Sequence, residues 1–330
     1  MDKEINFNHI PVMADECING LNIKPDGIYI DGTTGGAGHS KLIAEKLSGG
    51  RLVAIDRDGE AVSEAMRVLE PYKKNVTVIH DNFCNIPSII DSLSIGLIDG
   101  CLLDLGVSNY QLSSGGRGFS FARNGFLDMR MDTRQKLTAY DVINGYTEDG
   151  LTDIFYKYGE ERLAGRIARN VVKGRADSPI TNTSDLLKII IGSVPAAMRE
   201  NAMHRAQKIF MSVRIEVNSE LEHLPISLIN IIDRLKTGGR LAVISFNSLE
   251  DKITKETFNK MSGKCVCPRN FPVCRCGAYK RIEVITAKPV IPSDSELKSN
   301  DKSRSGKLRI VEKTGETNAA NDRKKTFERN

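Results

Sequence analysis

The chain has 330 residues, of which 40% are hydrophobic and 27% charged, with a formal net charge of +5. That composition is ordinary for a soluble globular protein, and the length gives one large domain or two of common size with ample core. No apolar run approaches the roughly 20 residues that span a bilayer, and no apolar region follows basic residues at the start, so we expect no membrane segment, no signal peptide and a cytoplasmic location.

The first hundred residues alternate short β-branched runs with helical periodicity. Strands are predicted at 28–31, 51–56, 75–80 and 97–104, and helices at about 39–47 and 58–70, the second stopped by Pro71. This alternation predicts a parallel sheet with right-handed crossovers. The first strand ends in Asp31 and runs into Gly-Thr-Thr-Gly-Gly-Ala-Gly-His39, and the second ends in Asp56, 24 positions after Gly32. A doubly wound fold builds a nucleoside pocket this way: the glycine turn admits the ligand, and the acid on the next strand accepts ribose hydroxyls. Gly32, Gly35, Gly36 and Gly38 do not spell G-x-G-x-x-G, and Asp31 and His39 stand where a pyrophosphate prefers amides. S-adenosylmethionine (SAM) carries a sulfonium cation and no phosphate, so acids suit it. Asp104 ends the fourth strand, which lines Asp31, Asp56 and Asp104 along one sheet edge, and Phe83 after the third strand is placed to stack on adenine. The reading is an α/β, Rossmann-like SAM-dependent methyltransferase. The D/N-P-P-Y/F motif of many base-amino methyltransferases is absent, with Asp104-Leu-Gly-Val in its place.

Past Gly106 the pattern changes. Ser108 to Arg134 is rich in glycine, serine and arginine, a long loop of the functional or disordered kind. Arg117, Arg123, Arg130 and Arg134 offer phosphate partners, and Phe119, Phe121 and Phe126 offer either base stacking or anchors for the loop. Helical signals then run over 140–143, 147–158, 160–172, 183–191 and 204–223, before strands resume at 240–246, 281–287 and 307–311. A sheet that pauses and resumes predicts an insertion. We divide the chain into a discontinuous SAM-binding domain at 1–107 and 215–313, an inserted substrate-recognition domain at 108–214, and a disordered basic tail at 314–330. Between Leu112 and Arg214, sixteen basic residues face eleven acidic ones. Such an excess reads either as solvated surface or as the footprint of a polyanion. Cys265, Cys267, Cys274 and Cys276 crowd together with two prolines and Gly277, which suggests a closed structural zinc site in a reducing compartment.

Ordered motifs along the chain resemble a known family. They are His9-Ile-Pro-Val-Met13, the Asp31–His39 loop, Asp104-Leu-Gly-Val-Ser108, Arg117-Gly-Phe-Ser-Phe121 and Leu127-Asp-Met-Arg-Met-Asp132. Tyr158-Gly-Glu-Glu161, Arg214-Ile-Glu-Val-Asn218 and Ser245-Phe-Asn-Ser-Leu-Glu-Asp251 follow. The chain resembles the ribosomal RNA small-subunit methyltransferase H family, also called MraW. The resemblance implies methyl transfer from SAM to the N4 amine of a cytidine in the decoding region of 16S rRNA, with the small ribosomal subunit as partner. It implies cofactor contacts at Ala37, Gly38, His39, Asp56, Phe83, Asp104 and Gln111. Asp104, or backbone carbonyls after the fourth strand, could accept hydrogen bonds from the amine, which makes Asp104 the candidate catalytic group. Candidate substrate contacts are Asn247, Arg117, Arg130 and Arg214. A dimer is compatible with this reading.

Three departures fall on the substrate side. Asn247 replaces the family's histidine, Met211 its glutamine, and Asn109-Tyr110 its Ser-Pro. Asparagine hydrogen-bonds a base edge but takes up no proton near neutral pH. The alternative they raise is a divergent paralogue with another acceptor, or one that binds without turnover.

Overall fold

Runs of β-branched and aliphatic residues build one seven-stranded sheet in a computed structural model that describes residues 11–108, 111, 115–264 and 280–317. The chain divides into two compact units, one holding the residues up to Gly106 and from Leu221 onward, the other Val107–Glu220.

The first unit opens with α1 (Ala14–Leu21) and alternates β1 (Ile28–Asp31), α2 (Gly38–Lys46), β2 (Arg51–Asp56), α3 (Gly59–Val68), β3 (Val76–His80), α4 (Ile86–Ser92) and β4 (Ile98–Asp104). Ile98 through Leu103 are all buried, the unbroken apolar run of a strand covered on both faces.

The second unit is helical: α5 (Ala139–Gly145), α6 (Glu148–Lys157), α7 (Ala164–Asp177), α8 (Thr183–Ser193) and α9 (Ala202–Asn218). Side-chain caps fix the helix starts. Thr138 and Asp141 close a capping box on α5, Thr147 caps α6 and Asn182 caps α8. The helix expected from Glu160 starts only at Ala164. Glu160 takes a left-handed φ of 48°, and buried Glu161 turns to pair with Arg205 of α9. The helix expected through His223 stops at Asn218, where Ser219 enters the left-handed region.

The chain returns to the first unit through α10 (Leu224–Arg234), β5 (Leu235–Ser245), α11 (Ser248–Met261), β6 (Lys280–Val284), α12 (Asp294–Ser299) and β7 (Lys307–Thr317). Strand order is β3-β2-β1-β4-β5-β7-β6, with β1 to β5 parallel and β7 antiparallel to both its neighbours. Ile86, Ile89, Leu228, Ile231 and Phe258 cover one face of the sheet; Cys17, Leu21, Ile43 and Ala44 cover the other. β7 continues to Thr317, into the segment expected as tail. The four clustered cysteines, His9, Asn109 and Tyr110 lie outside the described residues, as does the tail beyond residue 317.

Candidate active site

The chain switches direction between β1 and β4, so the crevice at their carboxyl ends is where an open α/β sheet receives a ligand. Asp31 closes β1. Its Oδ2 accepts from Ser40 Oγ at 2.6 Å and its Oδ1 from Thr33 N at 3.2 Å, tying the strand end to the first turn of α2. Asp56 closes β2 and clamps the same loop from the other side. Its Oδ2 accepts Gly35 N at 2.7 Å and its Oδ1 accepts Asp58 N at 2.9 Å. A carboxylate has about four acceptor positions. Asp56 therefore keeps lone pairs for the two ribose hydroxyls assigned to it by sequence.

The loop itself is tightly shaped. A Cβ on Gly32 would stand 2.6 Å from Leu103 Cδ2 and 3.1 Å from Phe83 Cβ, so only glycine lets β1 pass this close. That contact also places Phe83 beside the loop. Ala37 is held at φ 63°, a left-handed conformation that an alanine adopts at a cost and that functional loops often contain.

His39 lies in the first turn of α2 and is 6% exposed. Its Nε2 donates to the carbonyl of Val12 at 2.9 Å, because a carbonyl can only accept. Burial holds its pKa down to about 4, so the ring is neutral and Nδ1 keeps its lone pair. That nitrogen faces Asp104 Oδ2 at 3.8 Å. His39 thus fastens the turn of residues 11–13 ahead of α1 to the loop and presents no positive charge to the crevice.

Asp104 differs from the other two acids. Its backbone N–H donates to Thr33 Oγ1 at 2.6 Å, but its Oδ1 is buried and accepts no hydrogen bond among the described residues. Burial first, then the charges of Asp31 and Glu250, push its pKa up to about 8. Asp31 is itself raised to about 6 by burial, and burial likewise raises Asp56. A crevice of destabilised carboxyls with one unsatisfied oxygen is suited to a ligand that brings positive charge. SAM fits on that ground.

Glu250 comes from α11, where sequence reasoning assigned it no role. Asn247 caps that helix: its Oδ1 accepts Leu249 N at 3.0 Å and Glu250 N at 2.9 Å, while Glu250 Oε2 accepts Phe246 N at 2.9 Å and Asn247 N at 3.3 Å. Asparagine is among the strongest N-caps, which gives this chain a structural use for the residue standing in the family's histidine position. Asn247→Ala should cost about 1 kcal/mol, a fall in Tm of about 2 °C, through loss of the cap. Calorimetry of the purified chain measures it, and an unchanged Tm would contradict the capping role.

The remaining sequence candidates lie in the second unit. Gln111 is buried, and its side-chain carbonyl accepts Ser108 N at 3.0 Å. Arg130 is bidentate on Asp128, at 2.8 Å to each oxygen, and also donates to the carbonyls of Thr133 and Gln135. Arg214 is bidentate on Glu220, at 2.8 and 3.0 Å. Both guanidinium groups brace the unit internally, Arg130 in a geometry different from the open phosphate contact expected of it and Arg214 from a free substrate contact. Arg134 pairs with Asp132 at 2.8 Å. Arg117 lies over the Phe119 ring at 5.6 Å, with Phe119 buried. Phe121 meets Phe210 edge-on at 5.1 Å, so these aromatics act as anchors; Phe126 stacks on Tyr140 and stays 49% exposed. Asn218 ties two motifs together, its Oδ1 accepting Met131 N at 2.8 Å and its Nδ2 donating to Met129 O at 2.7 Å.

What sequence reasoning missed were the supports: Ser40 on Asp31, Thr33 under Asp104, Val12 on His39, and Glu250 beside Asp104. The signal for Ser40 was its place in the first turn of a helix that follows an acid-ended strand; nothing local marked the other three.

A doubly wound sheet with an acid-lined crevice at its switch point defines the class as SAM-dependent methyltransferase. The model of the MraW methylase family matches residues 6–314. The chain belongs to that family. It is 49% identical over 308 residues to the ribosomal RNA small subunit methyltransferase H of Caldicellulosiruptor bescii, covering 93% of this chain and 99% of that protein. Proteins of the same name from Lachnospira eligens and Clostridioides difficile are 46% and 44% identical, each over 94% of this chain and 98% and 100% of their own lengths. Among the described residues no helix is long and apolar enough to cross a membrane.

Proposed function

We propose that this chain methylates the N4 amine of a cytidine in 16S rRNA, acting on the small ribosomal subunit with SAM as donor. The observation that carries the chemistry is the buried Asp104 Oδ1, which accepts no hydrogen bond among the described residues at the switch point of the sheet. The substrate comes from the relatives' printed name and from the family resemblance.

SAM supplies an electrophilic methyl group carried on a cationic sulfur. Asp56 orients the ribose, Phe83 and the Gly32 turn frame the base, and Asp104 faces the positive charge. The N4 of cytosine is a poor nucleophile because its lone pair is delocalised into the ring. Asp104 accepts a hydrogen bond from the amine, which localises that lone pair and holds the nitrogen in line. With positive charge beside it, Asp104 is ionised. When N4 takes the methyl from sulfur, leaving a neutral thioether, the amine would carry the charge and Asp104 would be placed to take up its proton, which suits a carboxyl whose pKa is otherwise pushed up to about 8. Neutral His39 and the capping residue Asn247 need no proton of their own in this scheme. The target base must be splayed from its helix to enter the crevice. No finding favours the paralogue alternative, since the Asn247 departure has a structural account.

The test uses purified protein, labelled SAM and small subunits from a strain lacking this modification. Digested rRNA analysed by mass spectrometry should contain N4-methylated cytidine. Absence of product, with SAM binding verified in parallel, would reject the substrate. From their spacing alone, Cys265, Cys267, Cys274 and Cys276 would hold a structural zinc. Metal analysis should then find about one zinc per chain, lost on Cys→Ser substitution.

A further inference from the structure

The second unit carries a basic strip in which, among the described residues, Arg169 alone is paired with an acid. Arg166, Arg169 and Lys173 stand at helical spacing on one exposed side of α7, and Arg162 is exposed in the turn leading into it. The opposite side of α7 is packed into the unit through Ile167, Ala168 and Val171. From Arg162 to Lys173 the strip covers about 16 Å. Arg162, Arg166 and Lys173 make no ion pair among the described residues, and Arg169 alone meets an acid, Glu148 at 3.3 Å.

The neighbouring helix adds an aromatic. α6 runs antiparallel to α7: Glu148 meets Arg169, and a Cβ on Gly165 would lie 3.8 Å from Thr152 Cγ2. One turn past Thr152 stands Tyr156, 68% exposed, on the stretch of α6 nearest the turn that holds Arg162. Asp149 and Asp153 are exposed on the same face of α6 as Tyr156 and bound the surface there. Exposed cations in a row beside an exposed ring form the platform on which single-stranded nucleic acid lies, phosphates on the cations and a base on the ring.

We infer that Arg162, Arg166, Arg169, Lys173 and Tyr156 form a docking strip for single-stranded RNA. This rests on the rRNA reading above and adds to it the surface that holds the substrate. The occupant is RNA and not an acidic protein because the cations are spaced along a line and end at a ring able to stack.

The test compares wild type with Arg162→Ala/Arg166→Ala/Lys173→Ala, Tyr156→Ala and Tyr156→Phe. It measures binding to protein-free 16S rRNA and to unmodified small subunits over a salt series, with SAM affinity as the folding control. Each lost phosphate contact on single-stranded RNA lowers the log–log salt slope by about 0.7, so the triple variant should lose about 2 from the slope. Tyr156→Ala should weaken binding about tenfold and Tyr156→Phe should restore it, since stacking needs only the ring. KM for subunits should rise in the triple variant with kcat unchanged. An unchanged slope, with wild type active on RNA and SAM affinity intact, would overturn the strip alone. Loss confined to intact subunits, with binding to protein-free rRNA unaltered, would assign the surface to a ribosomal protein and overturn the proposal. A wild type that neither binds nor methylates RNA would overturn the functional reading itself.

Discussion

Asp104→Asn should abolish methyl transfer, lowering kcat at least a hundredfold, and should weaken SAM binding while making the cofactor-free protein more stable at alkaline pH. The kinetic loss follows from removing a preorganised negative group at the point where positive charge is handled, a change typically worth factors of about 100 to 1,000. The gain in stability has a separate cause. Asp104 is half-buried with its Oδ1 enclosed, and desolvation followed by the charges of Asp31 and Glu250 raises its pKa to about 8 from 3.8. The folded chain therefore holds a proton that the unfolded chain has lost, between about pH 4 and pH 8. Wherever the folded state binds more protons, stability falls as pH rises. Above pH 8 the wild-type protein carries the full cost of an ionised Asp104, and the asparagine variant carries none of it. Thermal unfolding at pH 7 and pH 9 reads this directly: wild type should lose more Tm than the variant over that interval. Equal losses would show that Asp104 is not destabilised in the free protein. An active variant would remove it from the mechanism.

Asp56→Ala should be the most damaging change in the cofactor loop. Both carboxylate oxygens already hold backbone amides, Gly35 N at 2.7 Å and Asp58 N at 2.9 Å, so the residue sets the loop's shape before any ligand arrives. Hydrogen bonds to a charged group contribute about 1.5 to 3 kcal/mol each, and their loss leaves two amides to find water. We expect a stability loss of about 3 kcal/mol and SAM affinity reduced at least a hundredfold, because the ribose acceptors go with the clamp. Asp56→Asn keeps one acceptor oxygen and should lie between the two. Calorimetric titration and thermal melts separate the effects. A variant with normal stability and weak binding would confine Asp56 to ligand contact, and one with normal binding would remove it from the site.

Much of this site was legible before the fold was known. Strand ends are readable because a buried parallel strand is an unbroken apolar run, and an acid there breaks the run visibly. That is how Asp31, Asp56 and Asp104 came to be aligned on one edge. Their different duties were not legible. Asp31 is committed to Ser40 and Thr33, Asp56 to the loop, and only Asp104 keeps an open oxygen. Those distinctions depend on partners from other elements. Glu250 lies 146 positions beyond Asp104 and reaches it only because α11 follows β5, the parallel neighbour of β4. The arginines show the same limit: composition marks Arg130 and Arg214 as cations, but only the fold reveals the carboxylates that already hold them. Asn247 was read from sequence as a base contact, although asparagine three residues before glutamate at a helix start is also a capping signature.

The most direct test is calorimetric titration of the wild-type protein with SAM and with 5′-methylthioadenosine, from pH 6 to pH 9. The second ligand keeps adenine, ribose and sulfur but has neither the sulfonium nor the amine. If Asp104 is protonated in the free protein and ionised beside the cation, SAM affinity should climb with pH and level off near the raised pKa of about 8. Below that plateau its binding should release a proton, seen as a dependence of the heat on buffer, while the neutral ligand stays flat. SAM affinity independent of pH, with no proton released, would contradict the assignment of Asp104 as the group that meets the cofactor's charge.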